Sequence, residues 1–250
     1  MPAYDDDFAA VYDALMDDVD YDAWAEYYLR LIARAGVVPK KLCDCACGTG
    51  ALSVRFAERG IRVTGADISP AMLEQAQRRA RQRGVQVMFV RQDMRSLRLP
   101  RPVDALVCGC DGVNYLTDDA SLNAFFAAAR EALRPGGALA FDISSAWKLE
   151  NILGNNFFGE ERDDVAWLWS NRFDPACRTT TMDLTFFLRE QDDRYRRFTE
   201  VHVQKAHEPE HLAELMRENG FARVEIFGDR TLTPPAAVET RIHFLAVREA

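Results

Sequence analysis

Four aspartates stand at the ends of short apolar runs. Asp44 lies in Leu42-Cys43-Asp44-Cys45, Asp67 follows Val63-Thr64-Gly65-Ala66, Asp93 follows Phe89-Val90-Arg91-Gln92, and Asp111 follows Leu106-Val107-Cys108-Gly109-Cys110. A carboxylate in such a place accepts hydrogen bonds from ligand hydroxyls or from an ammonium. After the first comes Ala46-Cys47-Gly48-Thr49-Gly50, where the glycines remove side chains from the path of a ligand. A helix-like stretch opens at Ala51, and its first N–H groups point outward unpaired. This arrangement suits a nucleotide-like ligand laid on a strand, a tight turn and a helix N-terminus, with Asp67 reaching ribose hydroxyls. A dinucleotide site wants Gly-x-Gly-x-x-Gly, and Ser53 stands where the third glycine belongs.

The six cysteines suggest other chemistry at first sight. Cys43, Cys45 and Cys47 alternate as strand residues do, and Cys108 and Cys110 end another strand; Cys177 is the sixth. Cys-x-Cys-x-Cys lacks the Cys-x-x-Cys spacing of zinc sites, so we read them as small packing residues and expect no metal.

These groups need elements to hold them. The 250 residues, 48% of them hydrophobic, suit one large α/β domain over 1–250. Apolar positions recur at helical spacing over 4–19 and again from the Asp20-Tyr21-Asp22 cap to about Ala35, giving helices within 1–38. Strands at 42–46, 61–66, 86–91, 103–109 and 138–143 then alternate with helices at 50–59, from Ser69-Pro70 to Arg83, and at 118–133. Such alternation predicts parallel pairing with right-handed crossovers: a doubly wound, mostly parallel sheet, seven-stranded once the runs 222–227 and 241–248 are added. Runs at 164–171, 178–188 and 194–206, joined by Asp174-Pro175 and Gln191-Asp192-Asp193, predict an antiparallel lid at 160–206 inserted after the fifth strand. A helix at 209–219 precedes the last two strands.

The formal charge of −8 argues against a nucleic-acid partner. No apolar run is long enough to span a membrane, and the acidic start Asp5-Asp6-Asp7 is unlike a secretory signal, so a cytoplasmic location is expected.

Several ordered motifs together resemble the class I S-adenosylmethionine (SAM)-dependent methyltransferases. Asp44-Cys45-Ala46-Cys47-Gly48-Thr49-Gly50 matches their D-x-G-x-G-x-G. Gly65-Ala66-Asp67-Ile68-Ser69-Pro70 matches the ribose-binding loop, Gln92-Asp93-Met94 the adenine loop, and Leu133-Arg134-Pro135-Gly136-Gly137 the turn before the fifth strand. Ala46 replaces the usual glycine, as in the small-molecule, glycine N-methyltransferase-like branch. The resemblance implies SAM as cofactor, with Asp44, Ala46 and Gly48 at its methionine end and Cys110 facing that moiety. It implies Asp67 on the ribose hydroxyls, Ile68 and Met72 along the adenine, Asp93 accepting from the adenine amino group, and Met94 beside it. Tyr12 and Trp24, in stretches resembling the N-terminal helices of such enzymes, are expected to close over the sulfonium, which aromatic faces attract.

The acceptor should meet the methyl at Cys110-Asp111-Gly112-Val113-Asn114-Tyr115, with Asp111, Asn114 and Tyr115 orienting it. The Asn/Asp-Pro-Pro-Tyr of amino-methyltransferases acting on nucleobases or protein glutamine is missing, as is the double-glutamate hairpin of protein arginine methyltransferases. A small-molecule acceptor is expected, nitrogen before oxygen, in a monomer or homodimer. The alternative is a SAM-binding regulatory or assembly protein without turnover. In the lid, Trp169, Arg172, Glu200 and His202 are candidates for the pocket. Only half of a strand's residues face one side, and His202 reads as structural.

Overall fold

The computed structural model describes residues 6–17, 19–190 and 194–249. The expected helix start at Tyr4 and the turn Gln191-Asp192-Asp193 lie outside them.

Helices α1 (Asp6–Leu15) and α2 (Tyr21–Arg34) come first. The Asp20 carboxylate caps α2, accepting from the Ala23 N–H at 3.0 Å. The β-α series follows: β1 (Lys41–Cys45), α3 (Ala51–Glu58), β2 (Arg62–Asp67), α4 (Pro70–Gln82), β3 (Val87–Arg91), β4 (Val103–Cys108), α5 (Asp119–Ala132) and β5 (Leu133–Ser144). Ser69 caps α4 through the Met72 N–H at 3.2 Å, with Pro70 in the first turn, where its missing N–H costs nothing. After the inserted strands β6 to β9 come α6 (Pro209–Glu218), β10 (Phe221–Phe227) and β11 (Arg241–Arg248).

The main sheet has the order β10-β11-β5-β4-β1-β2-β3. Neighbours from β3 to β5 run parallel, and β11 pairs antiparallel with both β5 and β10. Its central strands are buried on both faces, which is why they read as near-continuous apolar runs. Cys43, Cys45, Leu106, Cys108, Leu139 and Phe141 pack against α5 and α6. Leu42, Ala105, Val107, Ala138 and Ala140 pack on the opposite side against α2 and α3. Strand order reverses between β1 and β4, so a crevice opens beyond their carboxyl ends.

Two details differ from expectation. Strand β5 starts at Leu133 rather than 138: Leu133 pairs with Val103, then the ladder resumes at Ala138 opposite Ala105, and Arg134–Gly137 bulges between them. The inserted sheet has four strands, not three: β6 (Phe157–Glu161), β7 (Val165–Asp174), β8 (Thr179–Arg189) and β9 (Tyr195–Lys205), paired in chain order. Strand β6 is an edge strand exposed along most of its length, so it carries no apolar alternation to betray it.

Helix α1 lies between α4 and the inserted sheet. Phe8, Ala9 and Val11 join Ala71 and Met72 of α4 and Phe186 of β8 in one cluster, and the Phe8 and Phe186 rings stand 5.4 Å apart.

Candidate active site

A cavity of about 450 Å3 opens at the switch point, within the size range of cofactor pockets. The turn after β1, the start of α4 and the loops after β3 and β4 form most of its wall. Asp44, Ala46, Gly48, Asp67, Ile68, Met72, Asp93, Met94, Cys110, Tyr115 and Tyr12 all line it. Trp24, Asp111 and Asn114 do not.

Asp44 is 1% exposed and accepts from Ser53 Oγ of α3 at 2.5 Å. Burial pushes its carboxyl up to about 7 despite that bond, with Asp67 nearby adding to the rise. Asp67 accepts from the Gly48 N–H at 2.8 Å and from the Ser69 N–H at 2.9 Å, so it ties the glycine turn to the cap of α4. Burial raises its carboxyl too, and the backbone bonds partly offset the rise. Asp93 caps the turn after β3, accepting from the Arg95 N–H at 2.9 Å; its ion pair with the Arg95 guanidinium holds it below the usual carboxylate range.

The backbone is bent to suit. Ala46 has φ +54°, and Cys110 and Asp111 follow each other at +57° and +54°, values that side chains other than glycine rarely adopt. Gly48 also has a positive φ, and a Cβ there would project into open space, where a ligand can approach the backbone.

Three expected site residues are placed elsewhere. Trp24 is buried against Tyr28 and His243, with the Arg241 guanidinium 5.1 Å from its ring centre. Tyr21 lines the cavity in its place, and its hydroxyl bonds to that of Tyr12. Tyr21 occupies the first turn of α2, where the aromatic stripe passes the strand ends; Trp24, one turn on, lies over the sheet core. Asn114 is fully buried and saturated by backbone. It donates to the carbonyls of Ser144 (3.0 Å) and Lys205 (2.9 Å) and accepts from the Ser144 N–H (3.0 Å). Asp111 pairs with Arg241 at 2.9 Å and accepts from Gln204 Nε2 at 2.7 Å, behind the wall that Cys110 forms. Against the effect of burial, the Arg241 and Lys148 cations and the Gln204 amide hold its carboxyl below the usual range.

Leu52, Thr117, Asp118 and Ser121 also line the cavity. Only Leu52 had a sequence signal, as an apolar position in the first turn after the glycines. The other three sit where the loop after β4 meets α5, and their local pattern reads simply as a helix cap.

The residues present fit SAM. Four carboxylates, those of Asp44, Asp67, Asp93 and Asp118, line one cavity, and Ile68 stays 56% exposed beside it, an apolar surface matched to a flat base. The thiols of Cys47 and Cys110 are pushed up by burial and stay protonated. Among the described residues no group of three His, Cys, Asp or Glu side chains is arranged to hold a metal. None of the helices there is long and apolar enough to cross a membrane.

Comparison with known proteins agrees with this geometry. A family model described as "Methyltransferase domain" matches residues 42–137. A protein of Geobacillus sp. (strain WCH70) named a methyltransferase is 34% identical over 242 residues, spanning 96% of this chain and 97% of its own. A SAM-dependent methyltransferase from Clostridium acetobutylicum superposes with a TM-score of 0.86 at 29% identity, over 98% of both chains. SAM-bound CalS10, an amino pentose methyltransferase from Micromonospora echinaspora, gives 0.74 at 26% identity over 99% of both.

Proposed function

We infer that this chain, which belongs to the SAM-dependent methyltransferases, moves the SAM methyl to a small-molecule acceptor, nitrogen before oxygen. The observation that carries this reading is the convergence of three elements on one end of the cavity. Tyr12 of α1, Tyr21 of α2 and Tyr115 of the loop after β4 line that end together, and the inserted sheet packs behind them. That leaves room for a compact acceptor rather than a polymer. CalS10, alike along the full length, is named an amino pentose methyltransferase, so an amine is present on the acceptor class of that protein, and this is what favours nitrogen here.

SAM supplies a methyl already activated by its sulfonium. What the chain adds is placement and exclusion of water. Asp44, the Ala46 backbone and Gly48 hold the methionine end, and Asp67 takes the ribose hydroxyls. Ile68, Met72 and Met94 enclose the base, with Asp93 at its rim. Tyr12 and Tyr21 cover the sulfonium side. Burial raises both phenols, so they stay neutral and face the cation with their rings and oxygens. Tyr115 orients the acceptor. Asp111 acts one step back, fixing the loop through Arg241 and Gln204.

Transfer of radiolabel from SAM into a pooled metabolite extract tests this reading, with Asp67→Ala as the control that has lost the cofactor. A labelled small molecule made by the wild type alone is the expected result. SAM binding with persistent silence in that screen would favour a SAM-binding protein without turnover.

A further inference from the structure

Strand β9 turns an unusual face inward. A sheet that packs on a core should present apolar side chains there. Yet Glu200, His202 and Gln204, successive residues on one side of β9, are 4%, 5% and 4% exposed, while Val201 and Val203 face outward at 50% and 39%. Burying three polar side chains in a row is costly unless each is bonded, and these are aimed at the loop that closes the acceptor end of the cavity. Gln204 holds Asp111 at 2.7 Å. The Tyr115 hydroxyl meets His202 Nδ1 at 3.0 Å, and the Glu200 carboxylate lies 3.8 Å from His202 Nε2.

The direction of the Tyr115–His202 bond follows from the Glu200 side. At 3.8 Å the Glu200 carboxylate is too far to accept a hydrogen bond from Nε2, but its negative charge on that side favours the ring proton there, which leaves Nδ1 as the lone pair that faces Tyr115. Burial lowers the His202 imidazolium to about 4, with Asp111 pulling weakly the other way, so the ring is neutral near pH 7. Tyr115 must then be the donor. A phenol has one proton, and once that proton is committed to Nδ1, every further bond Tyr115 makes is one it accepts.

We propose that His202 is a positioning residue that fixes Tyr115 as an acceptor-only group at the Cys110 end of the cavity, and thereby selects nucleophiles that still carry hydrogen: primary and secondary amines, not tertiary ones. The inference rests on the methyl-transfer reading and refines its substrate class. A neutral amine that donates an N–H to Tyr115 Oη turns its lone pair toward the methyl. As the N–C bond forms, the S–C bond of SAM breaks with its electron pair left on sulfur, and the product leaves as an N-methylammonium that gives its extra proton to solvent. A tertiary amine whose lone pair faces the methyl has only an alkyl group to set against Tyr115 Oη, and that oxygen is desolvated without compensation. Methylation therefore stops when no N–H remains.

The test begins with the wild-type protein saturated with S-adenosylhomocysteine and labelled with 15N-histidine. Long-range 1H–15N correlation reads the tautomer of His202, assigned by its loss in His202→Gln. A proton on Nε2 alone is expected. A proton on Nδ1, or a doubly protonated ring at pH 7, overturns the assignment. The second arm uses the acceptor found by the radiolabel screen, in its N–H and fully N-alkylated forms. The wild type should convert the first and leave the second unmethylated. Both His202→Leu and Tyr115→Phe should lose about 10–100-fold in kcat/KM on the N–H form, with less discrimination between the two forms. His202→Gln, whose amide oxygen can still take the Tyr115 proton, should restore most of it. A quaternary ammonium product from the wild type, or full wild-type kcat/KM on the N–H form in His202→Leu and Tyr115→Phe, overturns the proposal. Failure of any acceptor to take label counts against methyl transfer itself, whereas an Nδ1–H tautomer counts against His202 alone.

Discussion

Asp44 combines near-complete burial with a task that needs charge. Its carboxyl sits at about 7 in the fold, well above the ordinary 3.8. The native state therefore keeps a proton that the unfolded chain has already released between those values. Its contribution to stability is fully present below about pH 4 and is lost as pH rises through 7. Under the proposed placement of the SAM ammonium, ligand affinity runs the opposite way, because only the ionised carboxylate attracts a cation. Below pH 7 the affinity for SAM should fall by up to about tenfold per pH unit. Calorimetric titration from pH 5.5 to 8 checks this, and Asp44→Asn should flatten the profile. Ala46 makes a second case. Its methyl group is held at φ +54°, a left-handed conformation that glycine adopts freely. Ala46→Gly should be neutral to about 1 kcal/mol more stable, since the relieved strain offsets the added freedom of the unfolded chain. Urea denaturation reads that difference. The carboxylates and glycines of this site were legible because each stands at the end of a recognisable strand. Asn114 and Trp24 were misplaced for a physical reason. Sequence shows that a polar or aromatic residue is near a site, but not whether backbone carbonyls or core rings have already claimed its side chain.

Helix α1 was readable as amphipathic from Phe8, Val11, Tyr12 and Leu15, yet its partner was not. The ring it packs on, Phe186, belongs to a strand far along the chain, and no local pattern announces that contact. At its other side α1 is latched by Asp13. That carboxylate accepts from Thr49 Oγ1 of the cofactor loop at 2.7 Å and pairs with Arg79 of α4. Because Tyr12 lines the cavity from the next position, the latch bears directly on whether the cofactor can leave. The pair is half exposed, so its worth is modest, about 1 kcal/mol. Asp13→Ala should speed dissociation of S-adenosylhomocysteine about fivefold with little change in global stability. Stopped-flow measurement of both rate constants checks it. The four-stranded insertion shows the complementary limit. Strands β7 to β9 declared themselves by alternation and turn residues, while β6, exposed and unpatterned, is strand only because β7 offers it an edge.

At the scale of the molecule, one buried carboxylate joins elements that the sequence keeps far apart. Asp142 of β5 is fully buried. It accepts from the Tyr28 hydroxyl of α2 and from the Asp111 N–H at 3.0 Å, and it pairs with Arg241 of β11. The helical cover, the loop after β4 and the antiparallel tail thus share an anchor, and the loop bent at Cys110 and Asp111 keeps its shape through it. Asp142→Ala would leave Arg241 with a weaker partner and Tyr28 with a stranded hydroxyl. A loss of about 3–5 kcal/mol in unfolding free energy is expected, measured by guanidinium denaturation. The order of elements and the parallel sheet were predictable from periodicity alone, since each strand and helix announces itself locally. The hub was not, because its members are scattered from residue 28 to residue 241 and only the assembled sheet brings them together.

Asn114 gives the architecture a further property. Its amide grips the Ser144 carbonyl, where the chain leaves β5, and the Lys205 carbonyl, where it returns from β9. The two ends of the insertion are pinned side by side on the donor half of the protein. Closing a segment between fixed ends grows more costly only with the logarithm of its length, about 0.6 kcal/mol per doubling. The length of the insertion can therefore change at little entropic cost, because Asn114 keeps its two ends in place whatever lies between them.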